Sequence, residues 1–313
     1  MKKRNITSTT VLAAAMTALV GGSAGIANAT EPCGDFGECK VLIEINAEDG
    51  DIGLHFLMDG DLLIYGALFN PKHRKIFAYY PRRELRRQTS TELFQESAEH
   101  LCDPSLVEEE DDIVVTLEEF IDRFKAGPYH VWGINSDWEG QHGVTSMTYH
   151  LPAKPAELEW VVEPPDDGED EVEFEIVWEE GDDLGECADY DELAAMVAAG
   201  VLPQHPEDVT VAAWEVVLEV DVEDGDPLGA MQYVVRIPGT AEELEVEVPD
   251  DFLETLPPNT PAKIEVGAIG EGDNATFAEE GDICLNDTDP DDENGNGLNG
   301  CEEDEMDEEE DGD

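Results

Sequence analysis

The stretch Glu171-Val172-Glu173-Phe174-Glu175-Ile176-Val177-Trp178 alternates carboxylates with apolar side chains. A period of two sends Val172, Phe174, Ile176 and Trp178 to one face and the glutamates to water, the pattern of a half-buried antiparallel strand. The alternation recurs at residues 158–162, 213–220, 232–237, 244–248 and 263–268. Upstream, residues 40–46, 52–56 and 62–69 read as strands, with Asp59-Gly60 as the turn between the last two. Residues 129–134 and 144–151 read as a hairpin closed by a turn over 137–143. The fold class expected from this is mainly β.

Two helices interrupt the strands. Thr116-Leu117-Glu118-Glu119-Phe120-Ile121-Asp122-Arg123-Phe124 opens with a capping box, Thr116 with Glu119, and puts Leu117, Phe120, Ile121 and Phe124 on one face. Residues 191–199 predict a second helix, stopped by Gly200. Residues 89–99 hold Leu93-Phe94 among polar neighbours and read as a loop or short helix.

The start of the chain carries a different message. Met1-Lys2-Lys3-Arg4, an apolar run over 11–20 and Ala27-Asn28-Ala29 form a secretory signal peptide, residues 1–29. This places the chain outside the cytoplasm, with no membrane insertion expected from any later stretch. The formal charge is −62, and the leader removes only basic residues. Such an excess of acid repels phosphates and excludes nucleic acid as a partner. It suits salty water, where self-repulsion is screened beyond roughly 8 Å. Six cysteines in an exported chain favour disulfides. Proximity favours Cys33–Cys39 and Cys284–Cys301, leaving Cys102–Cys187.

Pro152-Ala153-Lys154-Pro155 marks the best boundary, giving an N-terminal β-rich domain over 40–152 and a second domain over 153–283. From residue 284 apolar content collapses, so 284–313 is expected to be a disordered acidic tail.

Residues 244–277 resemble the second half of a fibronectin type III domain. Leu256-Pro257-Pro258-Asn259-Thr260 fits the turn entering the penultimate long strand, Lys263-Ile264-Glu265-Val266-Gly267-Ala268-Ile269 that strand, and Asp273-Asn274-Ala275-Thr276-Phe277 the hairpin and the next strand. Trp178 fits the core tryptophan, while Ala262 stands where a tyrosine is usual. Upstream, Leu85-Arg86-Arg87-Gln88, residues 91–99, Leu117-Glu118-Glu119-Phe120 and Leu151-Pro152-Ala153-Lys154-Pro155 resemble a recurring N-terminal module of secreted bacterial proteins with an attached fibronectin type III domain. The resemblance implies two antiparallel β-sandwich domains of immunoglobulin or fibronectin type III type. It also implies a binding or structural role rather than an enzyme.

Three places carry candidate chemistry. Asp292, Asn294, Asn296, Leu298 and Glu303, with Gly297 at the sharp turn, match the spacing of an EF-hand calcium loop: four side-chain ligands and one carbonyl for a hard cation. Lys72, Arg74, Lys75, Arg82, Arg83, Arg86 and Arg87 gather seven of the sixteen Lys and Arg within a short island. In so acidic a chain they are expected to pair with its own carboxylates, Arg86 and Arg87 included. The sharper alternative is an anionic partner, with Tyr79 and Tyr80 beside it. His130, Trp132, Trp138, His142 and His150 crowd the hairpin as sheet-surface and turn residues, and exposed tryptophans there would stack on sugar rings. No nucleophile or metalloprotease signature is present. The expected function is therefore a secreted, non-enzymatic binding or structural module whose partner is an extracellular protein or polysaccharide, with calcium in the tail. The alternatives are a carbohydrate-binding accessory protein and an extracellular hydrolase of unrecognised type.

Overall fold

The alternating stretch does form a strand. The computed structural model describes residues 33–107, 112–163, 173–222 and 227–286, and within them Glu173–Glu180 is extended and sends Ile176 and Trp178 inward. In chain order the elements are β1 (Glu38–Asn46), β2 (Asp51–Phe69), β3 (Lys75–Tyr79), α1 (Arg83–Gln88), β4 (Ser90–Glu96), β5 (His100–Leu101), α2 (Leu117–Arg123), β6 (Gly127–Asn135), β7 (Gly140–Met147), β8 (Pro155–Glu163), β9 (Glu173–Glu180), α3 (Tyr190–Ala198), β10 (Val211–Val220), β11 (Gln232–Pro238), β12 (Glu245–Glu247), α4 (Asp250–Leu253), β13 (Thr260–Gly270) and β14 (Ala275–Leu285). The chain is mainly β, as its alternation requires.

The expected separation into two antiparallel sandwiches is not what these strands build. Strands from both halves join in one mixed sheet of eleven, in the order β11-β10-β13-β14-β1-β2-β6-β7, with β3, β4 and β5 also paired to β2. The join is the parallel pairing of β1 with β14, Glu44 opposite Ala275 and Asn46 opposite Phe277. It is extended by a side chain. Buried Asn274 accepts a hydrogen bond from the Ile43 amide at 2.9 Å and donates to the carbonyls of Thr148 and His150 at 3.1 and 3.0 Å. Thr276, also buried, donates to the Pro152 carbonyl at 2.7 Å. The segment around the expected boundary is thus tied to β14, and Leu151, Pro152 and Ala153 are buried. An unpaired edge on β1 would leave backbone donors without partners, and β14 supplies them.

A second sheet, β12-β9-β8, packs on the large one. Its inner face, Trp160, Ile176, Trp178 and Val246, meets Trp214, Val216 and Leu218 of β10, Ile264, Val266 and Ala268 of β13, and Ile283. Trp178 and Trp214 meet edge to face, with ring centroids 5.9 Å apart. The other core lies between β1, β2, β6 and α2, with Ile43, Ile45, Phe56, Met58, Tyr129, Val131, Leu117, Phe120 and Ile121. Leu184, Leu193 and Met196, from α3 and the segment before it, complete this core. The Cys102–Cys187 disulfide fastens that segment to β5, and Cys33–Cys39 closes the lead into β1. Both bridges agree with the pairing expected from sequence. Such bonds persist in oxidising compartments. Cys301, the expected partner of Cys284, lies outside the described residues.

Two local expectations change. Asp59-Gly60 is not a turn: β2 runs unbroken through it and bends, its pairing with β4 slipping between Asp59 and Leu63. Before the bend β2 lies between β1 and β4, and after it between β6 and β3. One strand thereby pairs with β1, β3, β4 and β6 within the same sheet. At Gly60 the Phe36 ring excludes a side chain, since a Cβ there would stand 2.8 Å from it. Residues 90–96 are strand β4 rather than loop or helix. Helix α2 has the expected cap, Thr116 Oγ1 accepting from the Glu119 amide at 3.3 Å. Among the described residues no helix is long and apolar enough to cross a membrane.

Candidate functional site

The basic island does not fold as expected. All seven of its side chains are exposed, and among the described residues no carboxylate lies within ion-pair distance of Arg86, Arg87 or any other of them. The expected pairing of the island with the chain's own carboxylates is therefore not formed at contact distance. The cations sit on short helix α1 and around β3, and Lys72 acts on the Asp122 carboxylate only at longer range. Arg86 instead lays its guanidinium 5.5 Å from the centre of the Trp138 ring, and Lys75 approaches the Tyr80 ring and hydroxyl.

Those cations border an aromatic face. On β6 and β7, Tyr129 and Val131 point into the core, so His130 and Trp132 point out. Trp132 sits opposite His142 across the hairpin. Rings follow one another along this face: His73 to His130 at 4.8 Å, His130 to His142 at 5.7 Å and His142 to Trp132 at 6.4 Å. His130 is held below the usual histidine pKa by its partial burial and by the neighbouring His73 and His142. Trp138 occupies the hairpin turn and is 71% exposed. The two tryptophans singled out in the sequence are therefore both on the surface, and the structure places Arg86 beside one of them.

Sequence reading missed a second place. The face of the large sheet turned away from the cores carries a cleft of about 70 Å³, lined by Lys40, Leu42, Glu44, His55, Phe94, Glu215 and Arg236 among others. Here β1 and β2 set Leu42 opposite His55 and Glu44 opposite Gly53. His55 is 1% exposed, and the Phe94 ring of β4 meets it edge-on at 5.9 Å. Its Nδ1 stands 3.5 Å from Glu44 and its Nε2 stands 3.6 Å from Glu99. Neither nitrogen has a hydrogen-bond partner among the described residues.

Burial pushes Glu44 up to about 7, with Glu99, Glu96 and Glu215 adding to the effect and only His55 opposing it. Burial alone would lower His55, but Glu99, Glu44 and Glu96 outweigh it and hold the imidazole above its usual value. The two cations lining the cleft are committed elsewhere: Lys40 to Glu38 and Asp273 at 2.9 and 3.0 Å, and Arg236 to Glu215. The only signal in the sequence was a histidine inside the otherwise apolar run Ile52-Gly53-Leu54-His55-Phe56.

The calcium loop expected at Asp292, Asn294, Asn296, Leu298 and Glu303 lies outside the described residues, as do the leader and residues 171–172. Asn274-Ala275-Thr276 has the sequence of an N-glycosylation acceptor, but Asn274 is closed to glycosylation because its amide is buried and bonded. No family model matches the chain, and no curated protein is similar to it in sequence.

Proposed function

We propose that the chain is a secreted, non-enzymatic binding module that takes an anionic polysaccharide across the outer face of β6, β7, β3 and α1. The observation that carries this reading is the exposed Arg86 guanidinium on exposed Trp138, with no carboxylate to neutralise it among the described residues. A flat indole offers a π-face to a sugar ring, and a guanidinium offers a two-pronged fit to the ring's carboxylate or sulfate. Lys75 with Tyr80, and the row from His73 to Trp132, extend the same chemistry along the sheet. The chain's overall negative charge does not forbid such a ligand. In salt the distant carboxylates are screened within about 8 Å, whereas the island acts at contact. The leader supports export.

The test is affinity for alginate, a polymer of uronic acids, against neutral dextran of similar length. Alginate is expected to bind with strong salt dependence and dextran weakly. Trp138→Ala and Arg86→Ala should each cost about tenfold or more, in line with the worth of a stacked ring or cation–π pair. Equal retention of both polymers, or alginate binding unmoved by either variant, would overturn the reading. Binding that appears only as self-association would assign the face to a second acidic copy of the chain instead.

A further inference from the structure

We propose that Glu44, His55 and Glu99 form a binding site for one divalent transition-metal ion of the zinc or cobalt class, reached through the cleft on the sheet face. It is independent of the polysaccharide face, which lies on other strands. Ligand atoms of the three side chains lie within 4.8 Å of one another. Donors held 2.0–2.2 Å from a tetrahedral ion stand about 3.3–3.6 Å apart. One ion takes one nitrogen of His55: Nε2 stands 3.6 Å from Glu99, which matches that spacing and is long for a direct hydrogen bond, while Glu44, which faces Nδ1 at 3.5 Å, lies within 4.8 Å of the other donors and turns toward the ion on binding.

Burial makes the case for an ion independently of spacing. A polar ring almost wholly removed from water normally finds a partner, because leaving it without one costs a hydrogen bond's worth of desolvation. His55 has none among the described residues, yet it points at two carboxylates that are themselves 7% and 6% exposed. Lys40 and Arg236 do not neutralise them, being paired with other acids. With both carboxylates ionised, a single proton on the imidazole leaves a net negative charge in the cluster. A dication balances both carboxylates and leaves the imidazole neutral, the form that ligates metal.

The ligand set selects the ion. An imidazole with two carboxylates suits zinc, cobalt or manganese, whereas calcium prefers six to eight oxygens and more room. The strands supply rigidity. Glu44 and His55 sit on directly paired β1 and β2, and Phe94 holds the ring from its edge. Leu42 and Phe94 shield one side of the site, while the cleft leaves a path for the ion and a position for water.

The experiment uses the full oxidised chain, stripped with chelator and titrated with Co²⁺ in high sodium chloride, which suppresses loose association with surface acids. One Co²⁺ per chain is expected, with visible d–d bands and a hyperfine-shifted imidazole signal in the proton spectrum. His55→Gln and Glu99→Gln should each weaken binding by at least about 100-fold, since loss of merely an outer-shell partner costs 10–100-fold. Asp292→Ala should leave it unchanged. Absence of stoichiometric Co²⁺, or d–d bands that survive His55→Gln, would overturn the site and leave an imidazolium held between two glutamates. Should the variants fail to fold, the imidazole signal of the unmodified chain decides: with Co²⁺ bound and no shifted ring proton, the metal is elsewhere and the proposal fails.

Discussion

Replacing Asn274 by alanine removes one side chain and disconnects three segments. Its Oδ1 holds the Ile43 amide, and its Nδ2 holds the carbonyls of Thr148 and His150. The residue is 0% exposed, so water does not freely replace it. A buried backbone group left unpaired costs about 1–3 kcal/mol. Three groups at the low end give about 3 kcal/mol, and the small cavity raises the total toward about 4 kcal/mol. For a domain of this size each kcal/mol moves the melting midpoint by about 2–4 °C, so a fall of about 8–16 °C is expected. Urea unfolding should show a lower midpoint with an unchanged slope. Hydrogen exchange supplies the local reading: the Ile43 amide should lose protection while Val216 and Val266, in the other core, keep theirs. A loss below about 1 kcal/mol, or an Ile43 amide as protected as before, would refute the assignment of Asn274 as the clamp between β1, β14 and residues 148–150.

Trp178→Ala should cost about 3–5 kcal/mol in chemical denaturation, the range for a buried aromatic, while Trp178→Phe should cost far less because Nε1 has no partner among the described residues to lose; similar costs for both would show that the indole is bonded after all. Burial pushes the Asp51 carboxyl up to about 7, with Glu99 and Asp49 adding to it and Asn46 opposing it. A folded-state pKa above the unfolded one means the native chain holds this proton more tightly, so stability is greatest below about pH 4 for this group and declines as pH rises to about 7. Asp51→Asn keeps the bond to Asn46 and should raise the melting temperature at pH 8 more than at pH 5; an equal change at both would remove Asp51 from the account.

Much of the strand pattern was legible because alternation is a local property. Phe174, Ile176 and Trp178 announce their face within five residues, and the Thr116–Glu119 cap announces α2 within four. Strand β4 was not legible, because its apolar pair Leu93-Phe94 is adjacent rather than alternating. The two rings serve different faces: Leu93 enters the core and Phe94 leans on His55. The β1–β14 join pairs residues 231 apart, and nothing near Ile43 in the chain points to Asn274. The burial of Glu44 was not legible for a related reason. Between Ile43 and Ile45 it reads as a solvent-facing acid, but β2 and neighbouring strands bury it. The tryptophans of the outer face were legible as residues, whereas the arginine beside Trp138 comes from a helix fifty positions earlier and could be placed only by the fold.

The parallel seam between β1 and β14 also sets a timetable. A chain is made from its first residue onward, so β1 emerges more than two hundred positions before the strand that closes its edge. Until then Ile43 and its neighbours present an open, apolar ladder, the kind of edge that recruits other chains. Contacts this distant in sequence also form slowly, since loop closure must precede them. Vectorial folding of the first half alone therefore ends in an unfinished sheet. Truncation anywhere before residue 277 should yield not a smaller stable protein but an aggregating one, and the dense negative charge of the intervening strands is well suited to keeping waiting chains apart.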